Sequence, residues 1–138
     1  SNMNILECSD NDKEYLVNEL VHYNPSKVPF TQDRPFINLN YKIEFNGNII
    51  AGILSVLYAW DCLFIDLLFV DEKHRNRGYG ELLLKKVENE ASNRNCHLIH
   101  LDTFDFQAKD FYLKNGFEVF GVLPDCPEGH TRYYYLGN

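Results

Sequence analysis

Three observations predict an α+β fold with a mixed, mostly antiparallel twisted sheet of six to seven strands and helices on both faces. First, Asn46-Gly47 is a strong hairpin signal between two apolar, alternating stretches, Tyr41–Phe45 and Ile49–Tyr58. Second, the branched apolar run 63–70 is followed by an amphipathic helical pattern over 81–91 and a further strand pattern over 97–103. That βαβ order makes strands 63–70 and 97–103 parallel. Third, Phe117–Leu123 and Thr131–Leu136 read as strands joined by a loop holding Pro124, Pro127 and Gly129, which closes the sheet with antiparallel pairs.

Taken in order, Asn4–Cys8 reads as a short first strand. Ser9 or Asp10 can cap a helix through Tyr15, Leu16, Glu19 and Leu20. Residues 22–40 carry Pro25, Pro29 and Pro35 without a sustained period, which predicts a loop with at most a helical turn. Trp60-Asp61 turns the hairpin's second strand into 63–70, giving an antiparallel meander. Asn93 to Asn95 breaks the chain after the long helix. Ala108, Phe111 and Tyr112 lie at helical spacing within Gln107–Lys114, and Asn115-Gly116 supplies a glycine stop.

The chain's 138 residues suffice for one domain, 1–138, with a real core; Ser1-Asn2 ahead of Met3 reads as a tag remnant. The sequence is 45% hydrophobic with no run of membrane-spanning length and no signal peptide, which predicts a cytoplasmic protein without a membrane partner. A net charge of −7 argues against general affinity for nucleic acid. Cys8, Cys62, Cys96 and Cys126 are widely separated and form no CxxC pair, so spacing gives no support for zinc. The first three fall in or beside expected strands, where a reduced cysteine packs as a small hydrophobe.

The most informative stretch is Arg75-Asn76-Arg77-Gly78-Tyr79-Gly80, between the strand at 63–70 and the helix that follows. The first amides of a helix lack intrahelical partners, the macrodipole is positive there, and glycine admits phosphate close to the backbone. Lys73, His74, Arg75 and Arg77 crowd this turn within an otherwise acidic chain. The expectation is a ligand bearing pyrophosphate. No GxxxxGK[ST] occurs, and the turn falls mid-chain among antiparallel strands, which excludes a P-loop.

With these residues in place the sequence resembles the GCN5-related N-acetyltransferases (GNAT) over nearly its whole length. One signature is the strand ending Leu68-Phe69-Val70 followed by Arg75 through Gly80; the other is Ala108, then Phe111-Tyr112-Leu113-Lys114-Asn115-Gly116-Phe117. The resemblance implies acetyl-CoA as donor, no metal, and a primary amine as acceptor. It implies that the amides of Arg75, Asn76, Arg77, Gly78, Tyr79 and Gly80 cradle the pyrophosphate. It also implies that the backbone of Leu68, Phe69 and Val70 meets the pantetheine arm where the strand bulges away from its parallel neighbour. The Leu68 amide is then a candidate to hold the oxyanion. Tyr112 matches the tyrosine that protonates departing CoA thiolate in many members, chemistry open to a phenol of pKa near 10.

The general base is open between Asp66, which by simple counting shares parity with Leu68 and Val70, Glu44, Glu72 and a water chain. The sequence departs from the family at Asp105, where asparagine is common; Gln107 either replaces that contact to CoA or simply begins the helix. His130 is a candidate for the acceptor pocket, His74 reads as a surface residue of the turn, and His22, His97 and His100 receive no role. The acceptor implied is a small cationic amine of a metabolite or antibiotic. A protein or peptide acceptor, or a non-catalytic acyl-CoA-binding module, are the alternatives. Tyr133-Tyr134-Tyr135 either pairs subunits or finishes the core, leaving monomer and homodimer both open.

Overall fold

The computed structural model describes residues 2–137. Its elements run α1 (Asp10–Lys27), β1 (Phe36–Asn38), β2 (Tyr41–Phe45), β3 (Asn48–Tyr58), β4 (Cys62–Val70), a 3-10 turn (Glu72–His74), α2 (Tyr79–Asn93), β5 (Leu98–Phe104), α3 (Lys109–Lys114), β6 (Glu118–Pro124) and β7 (Thr131–Gly137). The sheet order is β1-β3-β4-β5-β7-β6, with β2 also pairing β3. Only β4 and β5 are parallel; every other pair is antiparallel, as the meander, the crossover and the closing hairpin require.

α2 folds as an amphipathic helix, with Leu83, Leu84, Val87 and Ala91 buried on one stripe and Glu81–Lys85 and Lys86–Glu90 ion pairs on the other. That stripe packs on Ile53, Leu57, Leu63 and Ile65 of the sheet. Tyr112 of α3 joins the same core through Phe117 and Tyr135, with ring centroids 5.6 Å from each. Tyr135 is fully buried, so the third tyrosine of the Tyr133-Tyr134-Tyr135 run finishes the core.

Three expectations are corrected. Asn4–Cys8 is not a strand: residues 2–9 are exposed, and among the described residues no strand pairs with them to complete a ladder. Cys8 is accordingly exposed rather than packed, whereas burial pushes the Cys62 and Cys96 thiols up. The segment expected to be loop from residue 22 is helical to Lys27. Pro25, in the last turn of α1, lacks one backbone N–H without ending the helix before Lys27, and β1 follows at Phe36. Finally, α2 and α3 cover one face of the sheet, while α1, opened by a Ser9–Asp12 capping box, has no buried residue and covers nothing. The opposite face, including Leu54, Leu67 and Phe69, stays exposed.

Candidate active site

β4 and β5 pair only over Cys62–Ile65 and Leu98–Leu101. Beyond that point β4 continues on β3 alone and β5 on β7 alone, so the two parallel strands part and leave Asp66–Val70 without a neighbour on one side. The cause is a β-bulge. Ile65 opposes Ser55 and Leu67 opposes Leu54, so Asp66 is an extra residue with no partner across the ladder. The bulge also switches parity: Phe64 faces the bare side of the sheet with Val56, whereas Leu68 and Val70 lie opposite Ile53 and Ala51 on the α2 side. Even spacing from Asp66 to Leu68 therefore does not fix where Asp66 points. Asp66 is exposed at the mouth of the split.

The split leads to the start of α2. Gly78 is its N-cap at φ 83°, with no side-chain cap, and Asn76 is left-handed too at φ 63°. The first helical bond runs from the Leu82 amide to the Gly78 carbonyl at 3.0 Å, so the amides of Tyr79, Gly80 and Glu81 precede it and are left over. A Cβ on Gly78 would meet nothing within 4 Å, whereas one on Gly80 would lie 3.4 Å from Phe111 Cε1 and 3.6 Å from Val70 Cγ2. The two glycines thus do different work. Gly78 lets the backbone take a left-handed turn under open space, whereas Gly80 sits beside Phe111 and the end of β4 at a distance where a Cβ would make ordinary contact. Through Gly80 the two sequence signatures touch.

Lys73, Arg75 and Arg77 are exposed around this helix start. Arg75 donates from Nε to the Val70 carbonyl at 3.2 Å, which ties the turn to the strand end. His74, expected at the surface, is half-buried with Nδ1 2.9 Å from Asp71 Oδ2, and that contact holds the Asp71 carboxyl below its usual range. The arrangement is a basic, uncapped helix N-terminus at the open end of a split sheet, suited to phosphate groups above and an extended arm below.

Tyr112 is buried, with its ring against Phe111, Phe117 and Tyr135. Burial, with the neighbouring Tyr135, pushes its pKa far up, so it stays protonated at any working pH. Among the described residues its hydroxyl makes no hydrogen bond, and none of their buried side-chain polar atoms is left without a partner. A phenol in that state is available to donate a proton.

Other expected residues are already engaged. Gln107 accepts through Oε1 from Thr103 Oγ1 at 2.9 Å and from the Phe104 amide at 3.0 Å, closing the turn from β5 into α3. Its Nε2 alone is left to donate. Asp105 accepts from the Thr131 amide at 2.8 Å and lies 2.9 Å from His130 Nδ1, whose ring meets Phe106 edge-on. Asp105 and His130 together pin the β6–β7 loop. Residues 25 apart in sequence give no local signal of this pairing. Among the alternative bases, Glu44 is ion-paired with Lys42 at 2.6 Å on the outer strand β2, and Glu72 is exposed in the 3-10 turn. No group of three His, Cys, Asp or Glu among the described residues could hold a metal, and no helix among them is long and apolar enough to cross a membrane.

Residues 6–117 match the model of the acetyltransferase (GNAT) family. The chain is 30% identical over 109 residues to the blasticidin-S acetyltransferase of Streptomyces morookaense, covering 78% of this chain and 79% of that one. It is also 30% identical over 131 residues to an acetyltransferase of Agrobacterium fabrum, with 94% and 93% covered. Among solved structures, an acetyltransferase from Bacillus cereus superposes with a TM-score of 0.85 at 34% identity, over 98% of this chain and 96% of that one. With the split strands, the glycine turn and the Tyr112 helix assembled in one place, the chain belongs to the GNAT family of acetyltransferases.

Proposed function

We propose that the protein transfers acetyl from acetyl-CoA to the primary amine of a small cationic metabolite or antibiotic, by direct attack through a tetrahedral intermediate. The observation that carries this reading is the continuous path from the free backbone of Asp66–Val70 to the uncapped, basic start of α2. The amides of Gly78, Tyr79 and Gly80, with Arg77 beside them, take the pyrophosphate; the backbone of Leu68, Phe69 and Val70 takes the pantetheine arm, and Gln107 offers Nε2 nearby. The Leu68 amide faces the thioester oxygen and stabilises its developing charge.

The incoming amine must lose a proton before its lone pair can attack. Asp66, exposed at the bulge, is the residue of this chain proposed to accept that proton. The new C–N bond forms, the C–S bond breaks, and Tyr112 donates its proton to the departing thiolate. A small antibiotic amine as acceptor is supported by the blasticidin-S acetyltransferase relative and by the acidic balance of the chain. Unpaired, half-buried Cys62 and Cys96 fit an enzyme of the reducing cytoplasm.

A thermal shift with acetyl-CoA, CoA, ATP and NAD tests the donor. Acetyl-CoA at a hundredfold excess over its Kd should add about 2.7 kcal/mol, while ATP and NAD should add nothing comparable. Thiol release over a panel of amines, blasticidin S among them, then tests transfer. Stabilisation by acetyl-CoA with no turnover on any amine would favour a binding module instead.

A further inference from the structure

Two unpartnered apolar surfaces belong to the same chain. One is the N-terminal arm, residues 3–27: Ile5, Leu6, Leu16 and Leu20 are exposed by 104%, 79%, 53% and 59%. Leu16, Leu20 and Tyr23 form one stripe along α1 with Val17 beside it, and Cys8, Leu16, Val17 and Leu20 line a shallow groove. The other is the sheet face opposite α2, where Leu54 and Leu67 lie across from each other, Val56 faces Phe64, and Phe69 completes the row. Leu54, Leu67 and Phe69 are 43%, 45% and 48% exposed.

The chain's accessible surface is 9952 Å² for 16.2 kDa. A compact monomer of that mass exposes about 7,500 Å². The excess of roughly 2,500 Å² is well above the ~800 Å² that each partner buries in a standard interface. An isolated helix of this length, with Pro25 inside it, is also marginal in water unless its apolar face is packed.

From these surfaces we infer that the arm docks on a second copy of this chain, and that two copies exchange arms reciprocally. The occupant is the partner's arm rather than the chain's own because of the hinge. α1 runs through Pro25 to Lys27 without a reversal, and its end is fastened by Trp60 Nε1 to the Val28 carbonyl at 2.9 Å and Thr31 N–H to the Ala59 carbonyl at 3.0 Å. The arm, about 27 Å of helix, therefore projects away from its own sheet. A two-fold pairing gives each bare face one arm and leaves neither surface open. Leader residues 4–8 gain in this way the strand edge they lack within the chain, since β2 pairs only β3 and offers its other side.

Light scattering on the eluting protein tests this: a mass twice 16.2 kDa is expected, and a monomer across the micromolar range overturns the inference. The double variant Leu16→Glu/Leu20→Glu should elute as a monomer with its sheet intact by circular dichroism; an unchanged dimer overturns the arm's part in it. Leu54→Glu, on the face, should dissociate the dimer likewise. Mixing the two monomeric variants leaves one good arm and one good face as a pair. Exchange predicts that dimer returns in the mixture, and continued monomer there overturns it.

Discussion

Two turns carry the chain from the central sheet into a helix, and they dispose of their polar groups in opposite ways. Between β5 and α3 the chain satisfies itself: Gln107 accepts from the Phe104 amide and Thr103, and Asp105 reaches across to Thr131 and His130. Between β4 and α2 only the first half is fastened, where Asp71 accepts from the Lys73 amide and lies 2.9 Å from His74 Nδ1; the helix start that follows is left open. Gly78 brings no side-chain cap, three helix amides are left over, and the nearby cations other than Arg75 point to solvent. A turn that consumes its own donors is a fastening, and one that leaves donors beside positive charge is a place for an anion. The asparagine-to-aspartate departure fits the same division, since a carboxylate that pins a loop is a poor partner for a phosphate.

Four experiments would break or sharpen that contrast. The largest effect is expected at Tyr112, which follows the self-satisfied turn yet makes no hydrogen bond through its hydroxyl among the described residues. Tyr112→Phe should lower kcat by about 100-fold or more with acetyl-CoA affinity unchanged. Wild-type turnover would remove the proton donor from the scheme.

At the open turn, Gly78→Val should weaken acetyl-CoA binding by about 10- to 100-fold, the worth of one charged hydrogen bond, measured by calorimetry. It should also destabilise the fold by about 1–2 kcal/mol, because a β-branched residue is strained at positive φ. Gly129→Val, at φ 79° in the β6–β7 loop with open space around it, controls for that strain. Equal loss of affinity in both would show that strain alone weakens binding.

At the closed turn, Asp105→Ala should lower Tm and leave acetyl-CoA affinity in place, since its bonds run to the loop. A large loss of affinity would move Asp105 into the donor site. Smallest is the pH response of His100, whose imidazole lies 2.7 Å from the Tyr58 hydroxyl and whose pKa burial lowers from its usual value near 6.5. The unfolded chain then binds the proton more readily. Stability conferred by neutral His100 is complete above about pH 6.5 and declines as pH falls below it. His100→Gln should flatten the Tm profile in that window; an unchanged slope would assign it to other groups.

The pattern of residues made much of this legible. Alternation and Asn46-Gly47 gave the meander, the apolar stripe Leu83, Leu84, Val87 and Ala91 gave α2, and glycine next to arginine marked the turn proposed to take an anion. All are local, set by periods of two or 3.6 residues and by the φ that glycine permits. The bulge at Asp66 left no local mark, because a single extra residue reads as ordinary alternation until the ladder across from it is known. Asp105 with His130 was hidden for the same reason, since a hydrogen bond between residues 25 apart has no period.

The N-terminus marks the other limit. Its residues carry the propensity of a strand and a helix, and α1 formed with its Ser9–Asp12 capping box, because a cap acts within four residues. Whether Asn4–Cys8 became a strand depended on a neighbouring edge, and whether α1 covered the sheet depended on the direction the chain leaves Val28. Composition and spacing determined the fold class and marked the candidate anion turn, while the family resemblance supplied acetyl-CoA and the candidate proton donor. Only the assembled tertiary structure decided which polar groups were already spent, which face of the sheet was left bare, and how far β4 and β5 stayed together, because each is a matter of contact between distant segments.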